Sequence, residues 1–280
     1  MRLGFHVSIE GGLHRAVDQA LEVGCTTFQM FTRSPRMWKH QELRDEEIQA
    51  FRSKLEESGI SPVYGHMPYL PNLASPRDEV YRKSVESLRV ETERCRLLGV
   101  PYLVTHLGSS LGTGHKAGSL RVARALSEMA ESVDGPMILL ENTSGKRNDV
   151  GSTFQEISEI MGLAGWEGLG LCLDVCHAYA RGYDLRTSEG LNDALMELDQ
   201  VIGLDKLRLI HLNDSVGALG SRIDRHEHIG MGAIGDDGFR NILGSRLREK
   251  PMVMETPVDE RRTDEGNMQK ARELADLHVH

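Results

Sequence analysis

Short apolar runs rich in β-branched residues alternate with amphipathic stretches about eight times along the chain. The runs cover residues 2–7, 25–31, 62–66, 101–106, 137–141, 169–174, 207–212 and 251–255, and they read as strands. Between them, segments such as LHRAVDQALEVG, DEEIQAFRSKLEESG and EVYRKSVESLRVETERCRLLG carry apolar residues at helical spacing. Each of these three ends in glycine, the expected stop just past a helix. Strand starts recur about every 35 residues, room for a strand, a helix and two loops. No low-complexity tract or long like-charge run separates the units. Strands alternating with helices predict a parallel sheet, and eight repeats without a dinucleotide-binding glycine fingerprint favour a closed (β/α)8 TIM barrel. A single domain over residues 1–280 is expected, with the last few residues, including His278 and His280, disordered.

Six predicted strands close on a titratable side chain. PVYGH, YLVTH, ILLE, LCLD, LRLIH and MVME end at His66, His106, Glu141, Asp174, His211 and Glu255. His177, Asp224 and His226 follow strands six and seven. A barrel gathers its strand C-termini on one face, so all nine are expected in one cleft. A single histidine closing a strand is ordinarily a satisfied structural residue. Applied to six consecutive strands, that account requires each to deliver a polar group to the same end, where burial without a partner is costly. A shared metal centre satisfies them together, and nine nitrogen and oxygen donors exceed what one ion uses. Asp224 and His226, two apart in RIDRHEH, face one side of an extended segment and can chelate one ion. Asp174 and His177, three apart, can enter the same cleft yet serve different ions. Glu141, midway in the series, is placed to bridge two. His228 is expected to be a loop residue.

Composition narrows the setting without changing that picture. A hydrophobic fraction of 39% with 27% charged residues is ordinary for a globular protein, and no run of 18 apolar residues offers a membrane span. MRLGFHVSIEGG lacks the features of a signal peptide, and four cysteines without close CxxC spacing (Cys25, Cys95, Cys172, Cys176) read as buried thiols. A reducing, cytoplasmic location is therefore expected. The net charge of −9 at first disfavours nucleic acid. Three divalent ions would add six positive charges inside the cleft, and the local field governs the approach of a phosphate.

GHMPYLPNLAS, LCLDVCHAYARGYDLRT, and HLNDS followed by DRHEHIG resemble the three signature segments of the endonuclease IV family of apurinic/apyrimidinic endonucleases. FQMFTRSPRMW and GFHVSIEGG near the start are similar to that family as well, so the likeness spans essentially the whole chain. The resemblance implies a (β/α)8 barrel whose trinuclear zinc site cleaves duplex DNA 5′ to abasic sites, leaving 3′-hydroxyl and 5′-deoxyribose phosphate ends. By the same resemblance, one zinc takes His66, His106 and Glu141. A second shares Glu141 and adds Asp174, His211 and Glu255, and a third takes His177, Asp224 and His226. Manganese in some sites is compatible with the same donors. Two ions sharing Glu141 would lower the pKa of a water between them, giving a hydroxide that attacks the phosphorus in line. Glu255 is the expected proton acceptor, so Glu141 and Glu255 are the expected catalytic residues.

An abasic site leaves a gap in the stack that side chains can fill while the sugar is flipped out. The resemblance assigns this role to Arg36, Tyr69 and Leu70. Two loops depart from the family. GMG, with Met231, stands where Gly-Glu-Gly is usual, and ENTSGKRNDVG replaces ENTAGQG. Lys146 and Arg147 are expected to add salt-sensitive affinity for the DNA backbone, with a merely solvated loop as the alternative. Abasic duplex DNA is the expected partner, with no membrane, no obligate protein partner and a monomeric chain. Two other readings compete. A sugar isomerase or epimerase on the same barrel would need only Glu141, Asp174, His211 and Glu255. A non-catalytic damage-binding protein is favoured only by Met231.

Overall fold

The structure, a computed structural model, describes residues 1–130 and 135–276. In chain order the strands are β1 (Leu3–Val7), β2 (Phe28–Phe31), β3 (Val63–His66), β4 (Tyr102–Thr105), β5 (Met137–Glu141), β6 (Leu169–Asp174) and β7 (Leu207–His211). A two-residue pair, β8 (Asp214–Ser215) and β9 (His226–Glu227), precedes β10 (Met252–Met254). β1 to β7 and β10 pair in parallel and close into a barrel in sequence order, as the repeat pattern predicts, and β8–β9 form a separate antiparallel ribbon. β2 starts three residues later than its apolar run. Thr26 and Thr27 spend their bonds elsewhere: Thr26 exchanges hydrogen bonds with Leu3, and Thr27 Oγ1 donates to Pro62 O at 2.6 Å.

Helices α1 (Leu13–Val23), α2 (Asp45–Ser58), α3 (Asp78–Leu98), α4 (His115–Met129), α5 (Phe154–Ala164), α6 (Val175–Arg181), α7 (Ser188–Val201), α8 (Gly235–Gly244) and α9 (Asp264–Asp276) follow the strands. Gly24, Gly59 and Gly99 end α1, α2 and α3 at φ 76°, 67° and 71°, the left-handed conformation that lacks a steric cost only without a Cβ. The helices bury apolar stripes such as Ala16, Val17 and Ala20 of α1 and Val85, Leu88 and Cys95 of α3 in the main core, which also takes in strand residues such as Leu3, Phe5, Phe28 and Leu103. Each large aliphatic side chain so buried contributes about 1.5–3 kcal/mol relative to exposure. All four cysteines are buried and free.

A second, smaller core consists of Tyr64, Val104, Leu139, Cys172, Leu209 and Val253, with Tyr102 stacked on Tyr64 at 5.1 Å between ring centroids. These residues belong to β3, β4, β5, β6, β7 and β10. Side chains two apart along a strand share a face. The next residues on that face are therefore His66, His106, Glu141, Asp174, His211 and Glu255. The polar ring sits one step above an apolar floor, toward the strand C-termini. No helix among the described residues is long and apolar enough to cross a membrane. The tail histidines His278 and His280 lie outside the described residues.

Candidate metal centre

The C-terminal mouth of the barrel opens into a cleft of about 470 Å³, lined in part by His66, His106, Glu141, His177, Asp224, His226 and Glu255. Glu141 stands at its centre, almost fully buried among four imidazoles. Its Oε2 is 3.2 Å from His66 Nε2 and 3.4 Å from His106 Nδ1, and its Oε1 is 3.2 Å from His211 Nδ1 and 3.4 Å from His177 Nδ1. Each oxygen thus faces a different pair, the arrangement a bridging carboxylate needs. Asp174 ends β6 and is also the N-cap of α6, because strand and helix join without a loop. Its Oδ1 accepts from His177 N at 2.7 Å, and Oδ2 lies 3.3 Å from His226 Nε2. His177 is accordingly in the first turn of a helix, held by Nδ1 at 2.9 Å from Asn142 O.

Donor atoms of three groups lie within 4.8 Å of one another: His66, His106 and Glu141; Asp174, His177 and His226; and Glu141, Asp174, His211 and Glu255. Glu141 and Asp174 each belong to two groups. Glu141 is the member that its place in the strand series marks for sharing, and Asp174 is a second that spacing did not indicate. Asp224 falls outside these groups. Its Oδ1 is 3.0 Å from His177 Nε2, and its Oδ2 accepts from Lys146 Nζ at 2.9 Å. The donors fit divalent ions: nitrogen and oxygen only, mostly buried, and the buried His226 Nε2 faces Asp174 Oδ2 at 3.3 Å without an aligned hydrogen bond.

The protonation pattern fits the same role. Burial opposes charge on His177, yet Asp174, Asp224 and Glu141 outweigh it and hold its pKa up at about 10. Burial likewise opposes charge on His211 and His226; Cys172, with Glu255 and Glu141, raises His211, and Asp174 and Glu255 raise His226, both above the usual imidazole range. Glu141, Asp174 and Glu255 are held low against burial by the surrounding imidazoles. Protons on histidine supply the positive charge that this carboxylate cluster requires, and a divalent ion can take their place.

Outer residues hold these donors in position. Asn142 donates to Asp174 O at 3.0 Å and accepts from Asp174 N at 2.7 Å, joining β5 to β6. Asn213 donates to Asp174 Oδ2 at 3.0 Å and accepts from Glu255 N at 2.7 Å. His6 and Gln29 back Glu255. Sequence reasoning missed all four. The available signals were a histidine in the penultimate position of β1 and an amide inside the apolar run FQMF. His228 lies in a loop, as expected, and is buried there, 3.0 Å from Asp259 Oδ1 and 2.9 Å from Asn267 Nδ2.

The sequence profile described as Xylose isomerase-like TIM barrel matches residues 17–277. The probable endonuclease 4 of Methanoculleus marisnigri is 53% identical over 277 residues, covering 98% of both chains. The chain belongs to the endonuclease IV family. The probable endonuclease 4 of Cenarchaeum symbiosum is 50% identical over 281 residues, covering 98% of this chain and 100% of its own. The crystal structure of endonuclease IV from Thermus thermophilus superposes with a TM-score of 0.88 at 39% identity, covering 99% of this chain and 100% of that one. A D-tagatose 3-epimerase-like protein shares the fold alone, at 19% identity and a TM-score of 0.74.

In this endonuclease IV family member the loops around the cleft are arranged as follows. Tyr69 is 66% exposed and Leu70 39% exposed, with the Tyr69 ring edge-on to Phe31 at 5.1 Å between centroids. Tyr69 N donates to Pro35 O at 3.3 Å, which ties the Tyr69 loop to the one carrying exposed Arg36. Lys146 is exposed but engaged on Asp224, so it is not a free cation; its neighbour Arg147 is exposed. Met231 points no acid at the centre and is 44% exposed. Its turn is built instead on the buried Asp214 carboxylate, which accepts from the backbone N–H groups of Gly230, Gly232, Ile234 and Gly235 at 2.9–3.3 Å. That turn does not require an acid at position 231.

Proposed function

We propose that the chain is a metal-dependent endonuclease of DNA repair that cleaves duplex DNA 5′ to abasic sites, leaving 3′-hydroxyl and 5′-deoxyribose phosphate ends. The observation that carries this reading is the set of three adjoining donor groups in one cleft, beside an exposed aromatic and aliphatic pair at Tyr69 and Leu70. Membership of the endonuclease IV family supports the same reaction. His66, His106 and Glu141 would hold one zinc ion; Glu141, Asp174, His211 and Glu255 a second; His177, His226 and Asp224 a third, with manganese acceptable to the same donors. Bound divalent ions supply Lewis acidity, which activates water near neutral pH and offsets phosphate charge.

The chain's own groups do the rest. Glu141, by offering one oxygen to each side, sets the spacing of the first two donor groups. Glu255 Oε1 is tied back by Gln29 at 2.7 Å and lies 3.2 Å from His6, which turns Oε2 toward the donor group, and the carboxylate accepts the proton given up by the attacking water. Tyr69 and Leu70 enter the gap left by the missing base, and Arg36 supports the opened stack. Unstacking costs a few kcal/mol and is least where a base is already absent, which favours damaged DNA over intact duplex.

The epimerase alternative uses the Glu141, Asp174, His211 and Glu255 group and leaves the other two groups and the exposed Tyr69–Leu70 pair without a role. Incubation with a duplex containing one abasic site, with and without a chelator, tests the proposal. The expected result is one incision 5′ to the lesion with a 3′-hydroxyl product, abolished by chelation and by Glu141→Gln or Glu255→Gln in folded protein. Wild-type-like turnover by either variant would refute the residue roles, and about one or two ions per chain with no incision would favour the epimerase.

A further inference from the structure

Gln29 is a fully buried amide in the apolar strand β2. A buried amide needs partners on both its oxygen and its nitrogen. Gln29 Nε2 donates to Glu255 Oε1 at 2.7 Å and lies 2.9 Å from His6 Nδ1, and its Oε1 is 2.9 Å from His211 Nε2. An ionised carboxylate can only accept, so the NH2 group is the end that faces Glu255 and the carbonyl is the end that faces His211. A carbonyl oxygen also only accepts, so His211 Nε2 must carry a proton. The remaining nitrogen, Nδ1, is the one 3.2 Å from Glu141 Oε1, 3.4 Å from Glu255 Oε2 and 3.8 Å from Asp174 Oδ2.

We propose that Gln29 is a positioning residue of the metal centre that aims two ligands at once. Its carbonyl fixes His211 as the Nε2–H form and presents the Nδ1 lone pair to an ion shared with Glu141, Asp174 and Glu255. Its NH2 holds Glu255 Oε1 and turns Oε2 toward the same ion. The inference rests on the proposed function only in that this donor group holds an ion. A ligand histidine is ordinarily oriented by a carboxylate or a backbone carbonyl on its far nitrogen, and here one side-chain amide orients the histidine and a ligand carboxylate together.

The test uses the full chain loaded with cadmium-113 and labelled with nitrogen-15 in histidine. A long-range proton–nitrogen spectrum is expected to show His211 protonated on Nε2 and coupled to cadmium through Nδ1. Coupling through Nε2 would overturn the proposal. Gln29→Met, which fills a similar volume without an amide, is expected to bind one ion about 10–100-fold more weakly in competition with a chromophoric zinc chelator. Unchanged affinity for every ion in folded Gln29→Met would also overturn it, and the proposed reaction would stand. A wild-type chain with no ion at His211 would remove both. If the variant does not fold, the wild-type spectrum decides.

Discussion

Replacing Glu91 by alanine should loosen the Arg36 loop without touching the metal centre. Glu91, on α3, is fully buried and accepts from Arg33 Nε and Thr32 Oγ1. Arg33 in turn donates Nη1 to Met37 O and Nη2 to Ser87 Oγ, both at 2.7 Å. Arg94 donates to Thr32 Oγ1 at 3.0 Å and to Gln41 O at 2.9 Å. The segment from Thr32 to Gln41 has no helix or strand of its own and is held by these two guanidinium groups. Removing the carboxylate leaves Arg33 buried without its counter-ion, and breaking such a pair costs about 3–5 kcal/mol. Against a total stability of about 5–15 kcal/mol, that is a large fraction. Part of the cost is avoidable, because Arg33 regains water if the loop opens. Urea unfolding of the metal-loaded variant should show a loss at or below that range, and hydrogen exchange at residues 33–41 should accelerate. Affinity for abasic duplex should fall while bound metal stays constant. Wild-type exchange rates in this segment, or loss of metal in a folded variant, would refute the reasoning.

Three other outcomes follow from the loops and the protonation pattern. Truncating Arg36 and Tyr69 together to alanine should cost about 1–3 kcal/mol per stacked base in abasic-duplex binding, measured by anisotropy at fixed salt, with ion content unchanged; an unchanged dissociation constant refutes the wedge role. Lys146 is occupied by Asp224, so Arg147→Ala should lower the salt slope of binding by about 0.9 for each phosphate left unneutralised, and Lys146→Ala by less. Equal slopes in wild type and Arg147→Ala would make 145–149 a solvated loop. In ion-free protein, His177 is protonated when folded, so its contribution is complete below about pH 6.5 and is lost as pH rises toward 10. In loaded protein protons compete with the ions, so binding strengthens with pH. The gap in melting temperature between loaded and ion-free protein should therefore widen from about pH 6 to about pH 9, and a constant gap would contradict the charge pattern.

The barrel and the ring of donor side chains at its mouth were legible because both are written in local periodicity. Leu139 and Glu141, or Leu209 and His211, are two residues apart on one strand face, so an apolar run that ends on a donor marks floor and ligand together. What periodicity does not report is the residue across the barrel. Gln29 meets Glu255 across 226 positions, and Lys146 meets Asp224 across 78. Loop composition marks Lys146 as added positive charge for the DNA backbone, and only the fold reveals the Asp224 carboxylate beside it. His177 and Asp174 were legible as neighbours, but the direct passage of β6 into α6, which makes Asp174 a helix cap, was not. The pinning of His228 by Asp259 and Asn267 escaped for the same reason.

The floor of Tyr64, Val104, Leu139, Cys172, Leu209 and Val253 closes the centre from below and makes it a well that opens at the cleft mouth. Tyr69 stands at that mouth, on the path open to ions, water and a reacting phosphate. Whatever lies across that mouth also corks the well. A bound duplex would then be a seal as well as a substrate, and the traffic of metal would be slowest while the lesion is being held.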